Sequence, residues 1–359
     1  MTILESRYLG EGEGRLHVLT GGGGPGGEPG PAVCLVHGNL STARFFAATA
    51  ESLPPSWRVA VPDLRGFGLS GPAPVDATRG VRDYAGDLDR VLSAGLLPDR
   101  PVHLAGWSLG GGAVMQYAID HPGRVASVTL IAPVSPFGYS GTKGADGTLC
   151  YEDGAGTGAG AINPELVSRI RDKDWGDESP VSPRSLVRTL YVRPPLRLQA
   201  DVEDLFVGEI LATALGEGNY PGDSRPSPNW PGSAPGTRGV ANSLSPIYCD
   251  LSGFARVAAH RPVLWVRGDS DQIVSDASPL DIGYLGSIGV IPGWPGEQEY
   301  PAQPMVSQTR AVLQQAVAMG GTFTEEVFAD CGHSPHLEQP DRFRELFTGF
   351  VTSAEAALG

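Results

Sequence analysis

Ser108 stands in Gly106-Trp107-Ser108-Leu109-Gly110, a G-x-S-x-G spacing between an apolar run and a stretch with helical periodicity. Pro101 to Ala105 reads as a buried strand and Ala113 to Ile119 as a helix, which puts the serine on a sharp strand-to-helix turn. Flanking glycines allow close backbone approach, so the hydroxyl can project above a sheet. The helix behind it offers free N–H groups and a favourable dipole to a developing oxyanion. A serine hydroxyl is a poor nucleophile near neutrality unless a base takes its proton as it attacks. The chemistry to look for is therefore a serine, a histidine and a carboxylate acting as one unit.

Seven histidines are available. His333 has the best context, in Cys331-Gly332-His333-Ser334-Pro335, just past the last expected strand, where sites collect in open α/β sheets. His336 reads as helping to start the final helix, His103 as a core or sheet-edge residue, and His121 as ending a helix. The carboxylate is expected past a strand as well, in Gly268-Asp269-Ser270-Asp271. Asp271 is the candidate, while Asp269 reads as a turn holder that bonds nearby backbone N–H groups. Two donors are needed for the oxyanion. The backbone N–H of Leu109 follows the serine directly, and that of Asn39 follows the strand-ending His37-Gly38.

Stepping outward, these residues need a rigid frame, and β-rich apolar runs alternating with helical patterns predict a mainly parallel sheet covered by helices. Strands are expected at Leu16–Leu19, Val33–Val36, Arg58–Val61, Pro101–Ala105, Val125–Ile131, Pro262–Val266 and Thr322–Phe328. Helices are expected at Val81–Leu92, Ala113–Ile119, Thr309–Met319 and Asp341–Val351. The glycine-rich stretch Gly21 to Gly30 is expected to end the first strand. From 135 to 250 the chain turns rich in Gly, Pro and Ser, with helical pieces near Pro164–Arg171 and Val202–Ala214. A segment this long inside a compact domain suggests a lid. A second irregular insertion spans 278–304, with Trp294, and reads as an extra wall over the pocket or a surface loop.

Composition bounds the function classes. With 359 residues, 41% hydrophobic and 18% charged, the chain can bury a large core. A net charge of −14 argues against nucleic acid, whose binding needs clustered Lys and Arg. No apolar run approaches the ~20 residues of a membrane span. The segment Met1 to Arg7 lacks the basic-then-apolar layout of a signal peptide, which favours a cytoplasmic protein. Four cysteines make no disulfide framework, and a Cys150–Cys249 bridge is disfavoured in that compartment. No His/Cys cluster has zinc spacing, so no metal is expected.

The motifs together resemble the α/β-hydrolase fold superfamily. The resemblance is carried by Val36-His37-Gly38, Asp63 to Ser70 (DLRGFGLS), Gly106 to Gly111, Gly268 to Val274 (GDSDQIV) and Gly332 to Pro340 (GHSPHLEQP), in that order. It implies a core of 1–134 and 251–359 with a cap inserted at 135–250. It also implies Ser108 as nucleophile, His333 as base, Asp271 as acid and the Asn39 and Leu109 amides as oxyanion hole. The Asp63 to Ser70 run would shape a turn beside the site, with Arg65 structural. The order Ser108, Asp271, His333 is that of this fold.

A serine at the nucleophile position argues against the relatives that form an ester on a carboxylate. An intact Ser-His-Asp set suits acyl transfer, with carboxylic ester or lactone hydrolysis needing the fewest assumptions. C–C bond hydrolysis of a diketone or ring-cleavage product, thioester hydrolysis, and a triad-retaining receptor role stay open. The triad generates its own nucleophile, so no cofactor is implied. The partner expected is a small molecule with an apolar group; nothing in the sequence bears on oligomeric state. Pocket candidates are His37, Phe45, Trp107, Phe137 and Tyr139, with Tyr151, Trp175, Leu205, Phe206 and Trp230 as further apolar residues of the lid.

Overall fold

A computed structural model describes residues 2–23 and 30–358. Residues 24–29, most of the glycine-rich stretch, lie outside the described residues. Eight strands form one sheet: β1 (Leu4–Leu9), β2 (Leu16–Gly22), β3 (Ala32–Val36), β4 (Arg58–Pro62), β5 (Val102–Trp107), β6 (Val125–Ile131), β7 (Val263–Gly268) and β8 (Phe323–Phe328). Their spatial order is β1-β2-β4-β3-β5-β6-β7-β8. The β1/β2 and β2/β4 pairs are antiparallel and the rest are parallel. Longer helices flank the sheet: α1 (Arg82–Leu92), α2 (Leu109–Asp120), α5 (Met305–Ala318) and α6 (Pro340–Ala356), while α3 (Pro164–Arg171) and α4 (Ala200–Leu211) lie in the segment between β6 and β7.

Every residue of β3, β5 and β6 is buried, as central parallel strands covered on both faces must be. That is why they read as continuous apolar runs. β1 carries four exposed residues between two half-buried leucines, and so left no apolar signal. β2 runs two residues into the glycine stretch expected to end it, because Gly21 has ladder partners in both β1 and β4 and Gly22 has one in β4. α2 begins at Leu109, four residues before the expected start. Glycines 110–112 are poor helix formers, yet they let the helix lie close over the strand ends.

The 278–304 insertion is not irregular throughout. It holds a short helix at Ile282–Ser287 and is bonded onto the β6–β7 segment. The Tyr300 hydroxyl donates to the Ala155 carbonyl at 2.9 Å, and Trp230 Nε1 donates to Pro292 at 2.8 Å. Phe137 packs against the Gly147 turn, and the Tyr151 and Trp230 rings pack on Tyr300. All four cysteines are free. No helix among the described residues is long and apolar enough to cross a membrane.

Beneath the carboxyl ends of the strands, the His336 ring stacks on Phe46 at 4.5 Å and meets the edge of Trp107 at 5.1 Å. Both ring nitrogens are buried, with no hydrogen-bond partner among the described residues. Burial, aided by the neighbouring His333, lowers its pKa from 6.5 to about 3. His336 is therefore neutral in the folded chain above about pH 3, whereas in the unfolded chain it takes up its proton near 6.5. Between these two values the unfolded chain binds the extra proton, so stability is full above pH 6.5 and falls as pH drops. The expected loss from this ring is about 2 kcal/mol at pH 5, at about 1.4 kcal/mol per unit below 6.5. In urea denaturation at pH 7 and pH 5, His336→Phe should keep the stack and flatten the acid dependence. An acid dependence equal to wild type would mean that the ring is not held neutral.

Candidate active site

The residues singled out in the sequence converge at the carboxyl ends of β3, β5, β7 and β8. Ser108 caps α2 directly after β5, with φ 56° and ψ −119°. A non-glycine residue in that region is strained and persists only where its surroundings over-determine it. They do so here. The Ser108 N–H donates to the Ile131 carbonyl at 3.0 Å, while its own carbonyl accepts from Gly111 at 2.9 Å and from Val134 at 3.1 Å. A Cβ at Gly110 would collide with the carbonyls of Val36 and His37, so only glycine lets α2 start this close to β3. Ser108 remains partly exposed.

His333 and Asp271 meet in the buried floor. Nδ1 of His333 lies 2.9 Å from Oδ2 of Asp271, with side-chain exposures of 1% and 3%. The other carboxylate oxygen of Asp271 accepts the N–H groups of Ile273 at 2.8 Å and Val274 at 3.0 Å. Every acceptor oxygen of the buried group is thus met. Asp269 points elsewhere: its oxygens accept the N–H groups of Asp330 at 3.1 Å and Cys331 at 3.3 Å, pinning the β7 and β8 loops together. Trp107 Nε1 donates to the His333 carbonyl at 2.9 Å, anchoring the histidine loop to the residue beside the serine. The Ser108 hydroxyl makes no hydrogen bond to the protein among the described residues, so the serine–histidine bond is left unmade. Such bonds often tighten only when substrate is bound.

Opposite Ser108 runs the loop after β3, near enough that a Cβ on Gly38 would sit 3.0 Å from the serine Cβ. His37 is fully buried, with both ring nitrogens used. Nε2 accepts the Leu64 N–H at 2.9 Å, which leaves the proton on Nδ1 to donate to the Gly38 carbonyl at 2.8 Å. The Ser41 hydroxyl donates to the same carbonyl at 2.9 Å. In a trans peptide the carbonyl and N–H point opposite ways. Pinning the Gly38 carbonyl on one side therefore turns the Asn39 N–H to the other. Neither the Asn39 nor the Leu109 amide has a protein acceptor among the described residues.

His37 was expected in the pocket; with no exposure and no free nitrogen, it shapes the loop instead. Tyr139 likewise holds structure: its hydroxyl lies 2.8 Å from the Ile273 carbonyl and 3.1 Å from Ser278, bracing the Asp271 loop. Phe137, bound to the Gly147 turn, is not among the aromatic rings packed around Trp107. Phe45 and Trp107 are as buried as His37 and pack beside the Ser108 turn, their rings 5.8 Å apart. Phe206 of α4 stacks on Phe45 at 3.9 Å, whereas Trp175 and Leu205 are exposed. Arg65 clasps Asp87 through two bonds of 2.7 and 2.8 Å, and Asp63 is filled by Ala43, Leu69 and His17.

Sequence reasoning missed Tyr191, Arg193 and Glu338 as site residues. Tyr191 ends a π-helical turn, Val187–Tyr191, and its ring packs edge-on to Trp107 at 5.2 Å. Burial holds its phenol well above the ordinary value, so it acts as a donor. Glu338 accepts the Gly332 N–H at 2.9 Å and the Arg193 N–H at 2.8 Å, binding the histidine loop to the inserted segment. Burial pushes the Cys331 thiol up, which removes it as a nucleophile. Among the described residues, no group of three or more His, Cys, Asp or Glu could hold a metal ion.

Comparison with known proteins fits this layout. Residues 31–142 match the family model of the alpha/beta hydrolase fold. An uncharacterized protein of Mycobacterium bovis is 33% identical over 330 residues, covering 91% of this chain and 77% of that protein. The pimeloyl-acyl-carrier-protein methyl ester esterase of Vibrio campbellii is 36% identical over 108 residues, 30% of this chain and 39% of that enzyme. With two further curated relatives, the range is 25% to 48% of their length. The esterase RhEst1 from Rhodococcus sp. superposes with a TM-score of 0.58 at 17% identity, covering 98% of this chain and 99% of that one. Carboxylesterase CesB from Bacillus subtilis gives 0.55 at 16%, covering 97% and 92%. At these identities the structural likeness is one of fold. With β-strand order, the strained turn at Ser108 and a relative matched along nearly the whole chain in agreement, the chain belongs to the α/β-hydrolase fold family.

Proposed function

We propose that this protein is a serine hydrolase that cleaves a carboxylic ester or lactone through an acyl-enzyme. The observation that carries the reading is the buried 2.9 Å His333–Asp271 pair beside the strained turn that presents Ser108. Ser108 Oγ attacks the carbonyl carbon as His333 Nε2 takes its proton. Asp271, bonded to Nδ1, fixes the tautomer that leaves Nε2 free and stabilises the imidazolium that forms. Negative charge gathers on the carbonyl oxygen, to which the Asn39 and Leu109 amides donate. Loss of one such donor costs roughly 10²–10³ in rate elsewhere. Collapse expels the alkoxide, which receives the His333 proton, and leaves the acyl group on Ser108. Water then repeats the attack with His333 as base, releasing the acid.

The 135–250 segment acts as the cap, braced by the 278–304 insertion. Its Tyr191 and Phe206 join Phe45 and Trp107 in a buried aromatic cluster beside the Ser108 turn, apolar surroundings that favour an apolar acyl or alcohol group. The esterase activities in the names of the Vibrio relative and the Rhodococcus structure agree with this reading.

Turnover of p-nitrophenyl esters of graded chain length tests it. Ser108→Ala and His333→Ala should each lose more than ~10³-fold, and Asp271→Asn roughly 10³–10⁴-fold, with the fold intact by circular dichroism. Asp269→Asn should lose far less. Retained turnover in Ser108→Ala would refute the serine mechanism, and a greater loss in Asp269→Asn than in Asp271→Asn would reassign the acid.

A further inference from the structure

Two peptide planes meet at Asn39: the first carries its N–H, and the second carries its carbonyl and sets how the loop runs on from there. The Gly38–Asn39 plane is held from within the core by His37 and Ser41. The Asn39–Leu40 plane is held from outside the core. Tyr191 shares its hydroxyl proton between the carbonyls of Asn39 at 2.8 Å and Leu40 at 3.1 Å. The backbone there needs the hold, because Leu40 sits at φ +48°, a conformation that costs a branched residue energy. The phenol is itself fixed by rings on three sides: Trp107 at 5.2 Å, Phe45 at 6.0 Å and His333 at 6.4 Å. Two residues on, the Arg193 N–H is bonded to Glu338, whose carboxylate also takes the Gly332 N–H beside His333. One short strap of the inserted segment therefore grips the loops that carry both the oxyanion amide and the base.

We propose that Tyr191 is a positioning residue for the oxyanion hole, steadying through the Asn39 and Leu40 carbonyls the loop whose Gly38–Asn39 peptide aims the Asn39 amide at the reacting carbonyl. This rests on the serine hydrolase reading above. The hydroxyl touches no reacting atom; it acts through the loop. Residues 187–193 would thus steady the oxyanion loop and the histidine loop together, tying the fit of the inserted segment to transition-state binding.

Tyr191→Phe keeps the ring and its packing and removes only the proton that holds the two carbonyls. On the best p-nitrophenyl ester, kcat should fall ~10- to 100-fold while KM moves less than about two-fold. Affinity for a trifluoromethyl ketone of matching chain length, which forms an oxyanion on the serine, should fall by the same factor. A merely structural tyrosine would lower Tm without that matched loss. Unchanged kcat, or a kcat loss with ketone affinity intact, would overturn the role. Failure of the underlying reading looks different: Ser108→Ala would then turn over ester as fast as wild type, and the ketone would bind neither protein.

Discussion

Burial of the Asp271 carboxylate is the constraint around which the site is arranged. A carboxylate taken out of water costs several kcal/mol unless its lone pairs are met. Here one oxygen takes two backbone N–H groups from its own loop, and the other takes the His333 ring. The loop after β7 must therefore turn back on itself while the loop after β8 delivers a histidine from 62 positions away. Parallel pairing of β7 with β8, in register from Val263–Phe323 to Gly268–Phe328, sets both loops at one edge of the sheet. A Cβ at Gly268 would collide with the Cys331 and Gly332 carbonyls, so the two loops close only over a glycine.

The second half of the site is built by tension between core and insertion. The core alone presents Ser108 in a strained turn and pins the Gly38 carbonyl. Residues 187–211 of the inserted segment supply the rest: a phenol on the Asn39 loop, a backbone N–H on Glu338, and Phe206 over Phe45. Aromatic stacking at 3.9 Å and the Tyr191 hydrogen bonds fix this contact between segment and core. The 278–304 insertion braces a different part, bonding through Tyr300 and Pro292 to Ala155 and Trp230. The inserted segment is thus bonded to the 278–304 insertion in one part and to the Asn39 and histidine loops in another.

The sheet was legible because central parallel strands, buried on both faces, must be written in unbroken apolar runs such as Val125 to Ile131. The residues at their ends could be named for the same reason, since loops after strands are where side chains are free to do chemistry. Ser108, His333, Asp271 and Asn39 all lie at those ends. The pocket was harder to read. His37 and Tyr139 look like site residues by position but spend their polar atoms on backbone groups, which depends on distances no spacing encodes. Tyr191 left no signal at all: it acts on carbonyls 151 and 152 positions away, and every residue type has a carbonyl. The Gly- and Pro-rich inserted segment is held by such long-range bonds more than by periodicity, and so its helices carry meaning only once folded.

The most direct measurement is peptide mapping by mass spectrometry after reaction of the folded protein with a fluorophosphonate. An activated serine held by the His333–Asp271 pair predicts a single stoichiometric adduct on the peptide containing Ser108, abolished by prior heat denaturation. Absence of an adduct, or an adduct on another residue with Ser108 untouched, would contradict the account.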